Sequence, residues 1–492
     1  MKKLLTLILA VALIFSLSSC FLFGDTECTE HVDANEDGKC DVCEADMPKT
    51  PCDECVDADN NGKCDVCGED VEPEQPGDGI MTHAQYVAAA DDAAVKVKTY
   101  VQAKQSWWDN KATIYTQAQD GAYFLYNMPC TEAEYDALVP GTCIIVSGFK
   151  ADYAGEKEIV NATYEIVAND TYVATATDLT AKFAAGEDLF ANQNELFALT
   201  GAVVVTKPMY NWDGTGSVGN DLYFDVSVGG KIYTLVVESY LYGDGSALYD
   251  AVEALEVGNV INVEAFLYWY NGAQPHLTKL TVTADGGVST FAEWNAAELD
   301  TEHTVITFVQ AKQSWWNNKA TVYTQSKDGA YFLYEMVCTE ADYAKLTPGT
   351  CIKVTGFKAD YAGEIEFGAG CTFEILGNNG YVPEAKDLTD KIAAGEDVIA
   401  YQNQLIEVKG AVVKTAAIYN WDGTGSAGND LYLALTVGEN DLTVVVESYL
   451  FGDGTELYDA VEALEVGDII DLEAFLYWYN GAQPHLTSIV VK

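Results

Sequence analysis

Between residues 28 and 67 the chain twice spaces thiols, an imidazole and carboxylates as metal ligands are spaced. Cys28, His31, Cys40 and Cys43 form one set of four; Cys52, Cys55, Cys64 and Cys67, 24 residues on, form another, each in the pattern C-x2-[H/C]-x8-C-x2-C. Thiolate and imidazole interchange as ligands of tetrahedral zinc, so the exchange of His31 for Cys55 suits two zinc sites. Disulfides are the competing use of the same thiols in an extracellular protein, but a His in one pair leaves an orphan Cys. The intervening loops carry oxygen donors: Asp33, Asn35, Asp37, Asp41 and Glu44 in the first, Asp57, Asp59, Asn61 and Asp65 in the second. Donors at loop positions 1, 3, 5 and 9 with Gly at position 6 suit calcium, and a carboxylate at position 12 completes the set. Only the first loop has that carboxylate, Glu44; the second has Gly68. The segment is expected to hold structural zinc, calcium or both, and otherwise to serve as an acidic stalk.

A second group of candidates is aromatic, and it occurs twice. A block of about 204 residues is repeated at an offset of 208 early and 209 late, so one insertion separates the copies. VQAKQSWW at 101–108 returns at 309–316, NWDGTGS at 211–217 returns at 420–426, and AFLYWYNGAQPHLT at 265–278 returns unchanged at 474–487. Long self-similarity decides architecture before local motifs do. The candidate ligand-binding residues are Trp107, Trp108, Tyr153, Trp212 and Trp269 in the first copy, and Trp315, Trp316, Tyr361, Trp421 and Trp478 in the second. Flat rings beside Asp, Asn and Gln suit sugars, which stack on the ring and hydrogen-bond at its rim. About half of these aromatics are expected to pack barrels instead. Adjacent residues on a strand point to opposite faces, so Trp107 and Trp108 cannot both fill one core and are the stronger pair.

The elements that would carry these residues repeat within each copy. Residues 95–103, 112–119, 122–127, 141–149 and 158–166 read as strands, with a helix at 131–138 opened by the capping box Thr131 to Glu134. Residues 196–206, 221–228, 231–240, 257–270 and 275–282 repeat the order around a helix at 247–255, with Asn271-Gly272 as a hairpin signal. Strand-strand-strand-helix-strand-strand is the order of the OB-fold, a five-stranded barrel. The phrase PGTCIIVSGFKADYAGEKEI at 140–159 and its partner at 256–277 resemble the G-x-x-V-x-V-x-G…Y-x-G-x-x-x-L phrase of OB modules in secreted bacterial proteins, including those ahead of a large extracellular endonuclease's catalytic domain. That resemblance implies the fold and, weakly, the ligand; no nuclease domain accompanies it. The Asp loops resemble EF-hand loops without their helices, nearest to dockerin or thrombospondin type 3 repeats. The expected chain is therefore mainly β: an acidic double repeat and linker over 20–79, then four tandem OB-folds over 80–190, 191–285, 289–396 and 397–492.

Location and charge narrow the function. Lys2 and Lys3, an apolar run and the Leu-Ser-Ser-Cys ending at Cys20 resemble a lipoprotein signal over 1–19, with Cys20 lipidated. The chain is thus expected to be anchored by lipid outside a bacterial membrane. Its net charge is −50 and it has no Arg, so nucleic acid is not the expected partner. The five His residues are scattered and no G-x-S-x-G, H-E-x-x-H or P-loop occurs, so no enzyme is expected. Tandem copies raise avidity for a repeating ligand. The expectation is a non-catalytic surface lipoprotein binding a polysaccharide; adhesion to protein partners and capture of nucleic acid are the alternatives. Cys130 and Cys143, and Cys338 and Cys351, are each 13 apart, as disulfides or as buried thiols, and Cys371 has no counterpart.

Overall fold

The computed structural model describes residues 79–492. Cys20 and every metal-ligand candidate from Cys28 to Cys67 lie outside the described residues.

Four closed five-stranded barrels follow one another. The first is built from Ala94–Lys104, Lys111–Gln117, Ala122–Pro129, Thr142–Tyr153 and Glu156–Thr171, with the helix Glu132–Ala137 between strands three and four. Around the barrel the order is one-two-three-five-four, and strand four closes onto strand one along Ala94↔Phe149 to Tyr100↔Cys143. Strands three and five are parallel, at Phe124↔Glu158, while the other pairs are antiparallel. This is the OB-fold order. The second barrel repeats it with Leu196–Val204, Leu222–Val228, Lys231–Val237, Val260–Phe266 and His276–Ala284 around the helix Ala247–Glu253. The third uses Glu302–Lys312, Lys319–Gln325, Ala330–Val337, Thr350–Tyr361 and Glu364–Phe367, and the fourth Leu405–Val413, Leu431–Val437, Asn440–Val446, Ile469–Phe475 and His485–Val491.

Alternation sets the cores. In strand one of the first barrel Val95, Val97 and Val101 are buried at every second position, and Ile114, Leu125, Ile144, Val146 and Ile159 meet them from the other strands. The third barrel departs from the first in strand five, which resumes as Thr372–Asn378 after a break. The extra residue of the second copy falls in 368–371, where Gly-Ala-Gly-Cys replaces Val-Asn-Ala. Cys371 then occupies the core position of Ala162. All five cysteines of the described residues are buried free thiols, so the two 13-residue pairs are not disulfides.

Two features differ from the sequence expectation. The Asn271-Gly272 turn does not join two long strands: strand four ends at Phe266 and strand five begins at His276, and residues between them form a loop that packs on the neighbouring barrel. Short helices His83–Ala88 and Phe291–Ala296, absent from that expectation, close one end of the first and third barrels with the buried rings of Tyr86 and Trp294. Their signal was present in the capping boxes Thr82 to Gln85 and Thr290 to Glu293. Under the first helix the buried Lys150 ammonium donates to the carbonyls of Val87 and Ala89, each at 2.7 Å, so its charge meets helix-end dipoles rather than a carboxylate.

The barrels of each copy also pack on each other. Tyr115 stacks on Phe266 at 4.5 Å, and Tyr323 on Phe475 at the same distance. Loop backbones zip across the same joint: Ser314 N–H donates to Tyr449 O at 2.8 Å and Asn480 N–H to Ala362 O at 2.7 Å.

Candidate ligand-binding cleft

The binding face of an OB-fold is the face of strands two and three with the loops after strands one and four. In the second copy these faces of the third and fourth barrels turn toward each other and enclose a cleft of 940 Å3. The loop after strand one of the third barrel makes its turn at Asn317 and Asn318, whose φ values of 47° and 59° suit Asn better than most side chains. The two Trp residues that precede this turn point to different places. Trp315 lies half-buried and its indole N–H donates to Cys338 O at 2.8 Å, whereas Trp316 is 58% exposed and faces the cleft. Lys319 Nζ lies 5.7 Å from the Trp316 ring centre and pairs with Glu335 at 2.6 Å.

Tyr361, at the end of strand four of the third barrel, forms one wall, and Trp421 forms the opposite one. Trp421 is 78% exposed on a loop held by Asp422, which accepts from the Thr424 N–H at 3.0 Å. An indole this exposed on an ordered loop gains little for folding and is available to a ligand.

The floor is polar and connected. The Tyr323 hydroxyl lies 2.6 Å from His485 Nδ1 and 3.2 Å from Glu447 Oε2, and the Gln313 amide donates to Glu447. The Tyr477 ring stacks on His485 at 4.3 Å. Glu364, fully buried behind the floor, accepts from Asn403 at 2.6 Å and from the Trp478 N–H at 2.8 Å. Burial nonetheless pushes its carboxyl up to about 8, and burial pushes the neighbouring Glu366 up to about 7. The cleft walls carry Glu335, Glu366, Asp430 and Glu447, and no Lys.

The first copy places the same residues at the joint of its own barrels. Tyr115, His276 and Glu238 repeat the floor network, at 2.6 Å for the Tyr–His pair. Trp108 and Trp212 are 59% and 75% exposed, and Glu156 accepts from Asn194 and the Trp269 N–H. Asn127 stands where the second copy has Glu335.

Of the residues singled out from the sequence, Trp316, Tyr361 and Trp421 come together in one cleft. Trp107 and Trp315 do not join it; each packs at its barrel's edge and donates to a backbone carbonyl. Trp269 and Trp478 are also half-buried packing residues, and a Cβ on Gly155 or Gly363 would strike their rings, at 2.7 and 2.8 Å. Sequence reasoning missed His276 and His485, Glu238 and Glu447, and Glu158 and Glu366. The recurrence of each at the same place in both copies was their available signal.

No family model matches the chain and no curated protein matches it. Solved structures do, at low identity. A p202 HIN1 domain in complex with a 12-mer double-stranded DNA is 18% identical over 40% of this chain and 94% of its own, with a TM-score of 0.21. A murine DNA-binding protein bound with double-stranded DNA is 10% identical over 37% and 99%, with a TM-score of 0.17. A replication protein A heterotrimer bound to single-stranded DNA is 10% identical over 60% and 93%, also at 0.17. The fold assignment rests on the strand order and register described above, and these likenesses carry nothing about this chain's ligand.

Proposed function

We propose that the chain is a non-catalytic, lipid-anchored binding protein, held outside a bacterial membrane, whose two copies each take a glycan in the cleft between their barrels. The observation that supports this reading is the cleft itself: exposed Trp316, Tyr361 and Trp421 stand over carboxylates with no Lys among the lining residues. Sugar rings stack on indole and phenol faces, and sugar hydroxyls donate to carboxylates at the rim. Single-stranded nucleic acid also stacks on OB-fold aromatics, but it needs a cationic groove along its backbone. The acidic walls and the net charge of −50 work against that.

The test is an array of oligosaccharides probed with the lipid-free mature chain, beside single- and double-stranded DNA at two salt concentrations. Binding to a glycan family, lost in a W212A/W421A variant, is expected. Retention of DNA instead, falling steeply with salt, would replace this reading with nucleic-acid capture; retention of a protein partner alone would replace it with adhesion. The zinc or calcium of the Cys-rich repeats would be structural in this scheme. Metal analysis and thiol counting of the full chain, purified without chelator, are expected to find zinc at two per chain with its ligand thiols reduced; no zinc and oxidised thiols would contradict that.

A further inference from the structure

Glu366 is 6% exposed and lines the cleft, and its side chain makes no hydrogen bond or ion pair among the described residues. It sits beside Phe332 in the parallel pairing of strands three and five, so the strand fixes its position. The contrast with Glu364 on the same strand is informative. Glu364 has its donors, whereas the charges that act on Glu366 come from carboxylates, Asp360 and Glu364. The Glu366 oxygens are not among the fully buried polar atoms, so they open to the cleft, where a donor from a ligand can meet them. The fold repeats this arrangement: Glu158 is 7% exposed, equally unpartnered, and pairs in the same register with Phe124. A defect would not be expected twice in sequence that has diverged elsewhere.

The surroundings indicate what the missing partner is. Of the four carboxylates lining the cleft only Glu335 has a Lys partner, Lys319, and the remaining surface is largely aromatic, with Trp316, Tyr361, Tyr477 and Tyr479 near the joint. Ring faces carry negative quadrupoles and attract cations. A hydroxyl would satisfy one lone pair of Glu366, but only a cation uses the carboxylates and the ring faces together.

We infer that Glu366 and Glu158 each receive a protonated amine of the ligand, so that the two clefts select a glycan whose hexosamine units carry free amino groups. This rests on the glycan reading and adds the charge of the ligand to it. Binding restores the ionised carboxylate that burial disfavours in the empty cleft.

Titration calorimetry of the full chain at neutral pH tests this with three probes: glucosamine hexamer, N-acetylglucosamine hexamer and hexalysine. The unmodified chain should bind the glucosamine hexamer about tenfold more tightly than the acetylated one. E158Q/E366Q should bring that ratio to about one, with an unchanged circular dichroism spectrum confirming the fold. Equal binding of both hexamers by the unmodified chain overturns the inference and leaves the glycan reading standing. A preference that survives E158Q/E366Q, or hexalysine bound as tightly as the glucosamine hexamer, overturns it by making bulk negative charge the cause. Binding of neither hexamer overturns the inference, and the oligosaccharide array then decides the glycan reading by itself.

Discussion

At the residue scale the two members of each Trp pair do different jobs, and mutation should separate them. W316A and W421A remove exposed rings, so the melting temperature should stay within about 2 °C while glycan affinity falls about tenfold or more. W315A removes a half-buried ring and its bond to Cys338 O, so it should cost about 2 kcal/mol of stability in a denaturant melt with a smaller effect on affinity. The buried Glu156 and Glu364 make a second prediction. Both carboxyls are raised to about 8 when folded, above their ordinary range, so their contribution is fully present at low pH and is lost as pH rises through about 8. The melting temperature should fall between about pH 5 and pH 9, and E156Q/E364Q should flatten that fall, since an amide carries no ionisable proton, although it keeps only one of the two acceptor oxygens. A fall as steep in the variant would exclude these groups as its source. The sequence showed the aromatic residues because Trp is rare and recurs. It did not show Glu366 or Glu364, because among 76 acidic residues no spacing marks the buried ones.

At the element scale, alternation carried more information than a single core requires. Leu267 and Trp269 point into the second barrel, while Phe266 and Tyr268 face the first across the joint. An apolar residue on each side of a strand marks a surface buried on both faces, and here the second face is the neighbouring barrel. The turns and the strand order were legible from Gly, Asn and the two-residue period. The cleft was not, because its walls come from residues more than 100 positions apart that only barrel packing brings together. Phe475→Ala tests the joint: it should destabilise the chain by about 3 kcal/mol and weaken binding although the ring is absent from the cleft lining. Unchanged affinity at full occupancy of the fold would mean that the cleft does not depend on this stack.

At the scale of the whole molecule the two copies meet through a patch that their outer ends lack. Between the second and third barrels Val205, Ile306, Phe308, Cys351 and Leu376 form a small core, with Ile232 against it and the Ser227 hydroxyl donating to Leu376 O. At the equivalent places on the first barrel stand Lys98 and Tyr100, both bound to Asp170, and on the fourth Lys414 and Asp441, paired with each other. Paired polar residues at these places cannot form the apolar joint seen between the copies. Ile232→Lys should therefore loosen the joint between copies, read as a larger radius of gyration in solution scattering, without changing either cleft.

Two copies of one aromatic and polar framework on one jointed body make the central claim countable. Calorimetric titration of the full chain with the tightest oligosaccharide from the array should give two sites per chain, one in W421A and none in W212A/W421A. Two sites retained in W212A/W421A, with the chain folded, would contradict binding in the clefts.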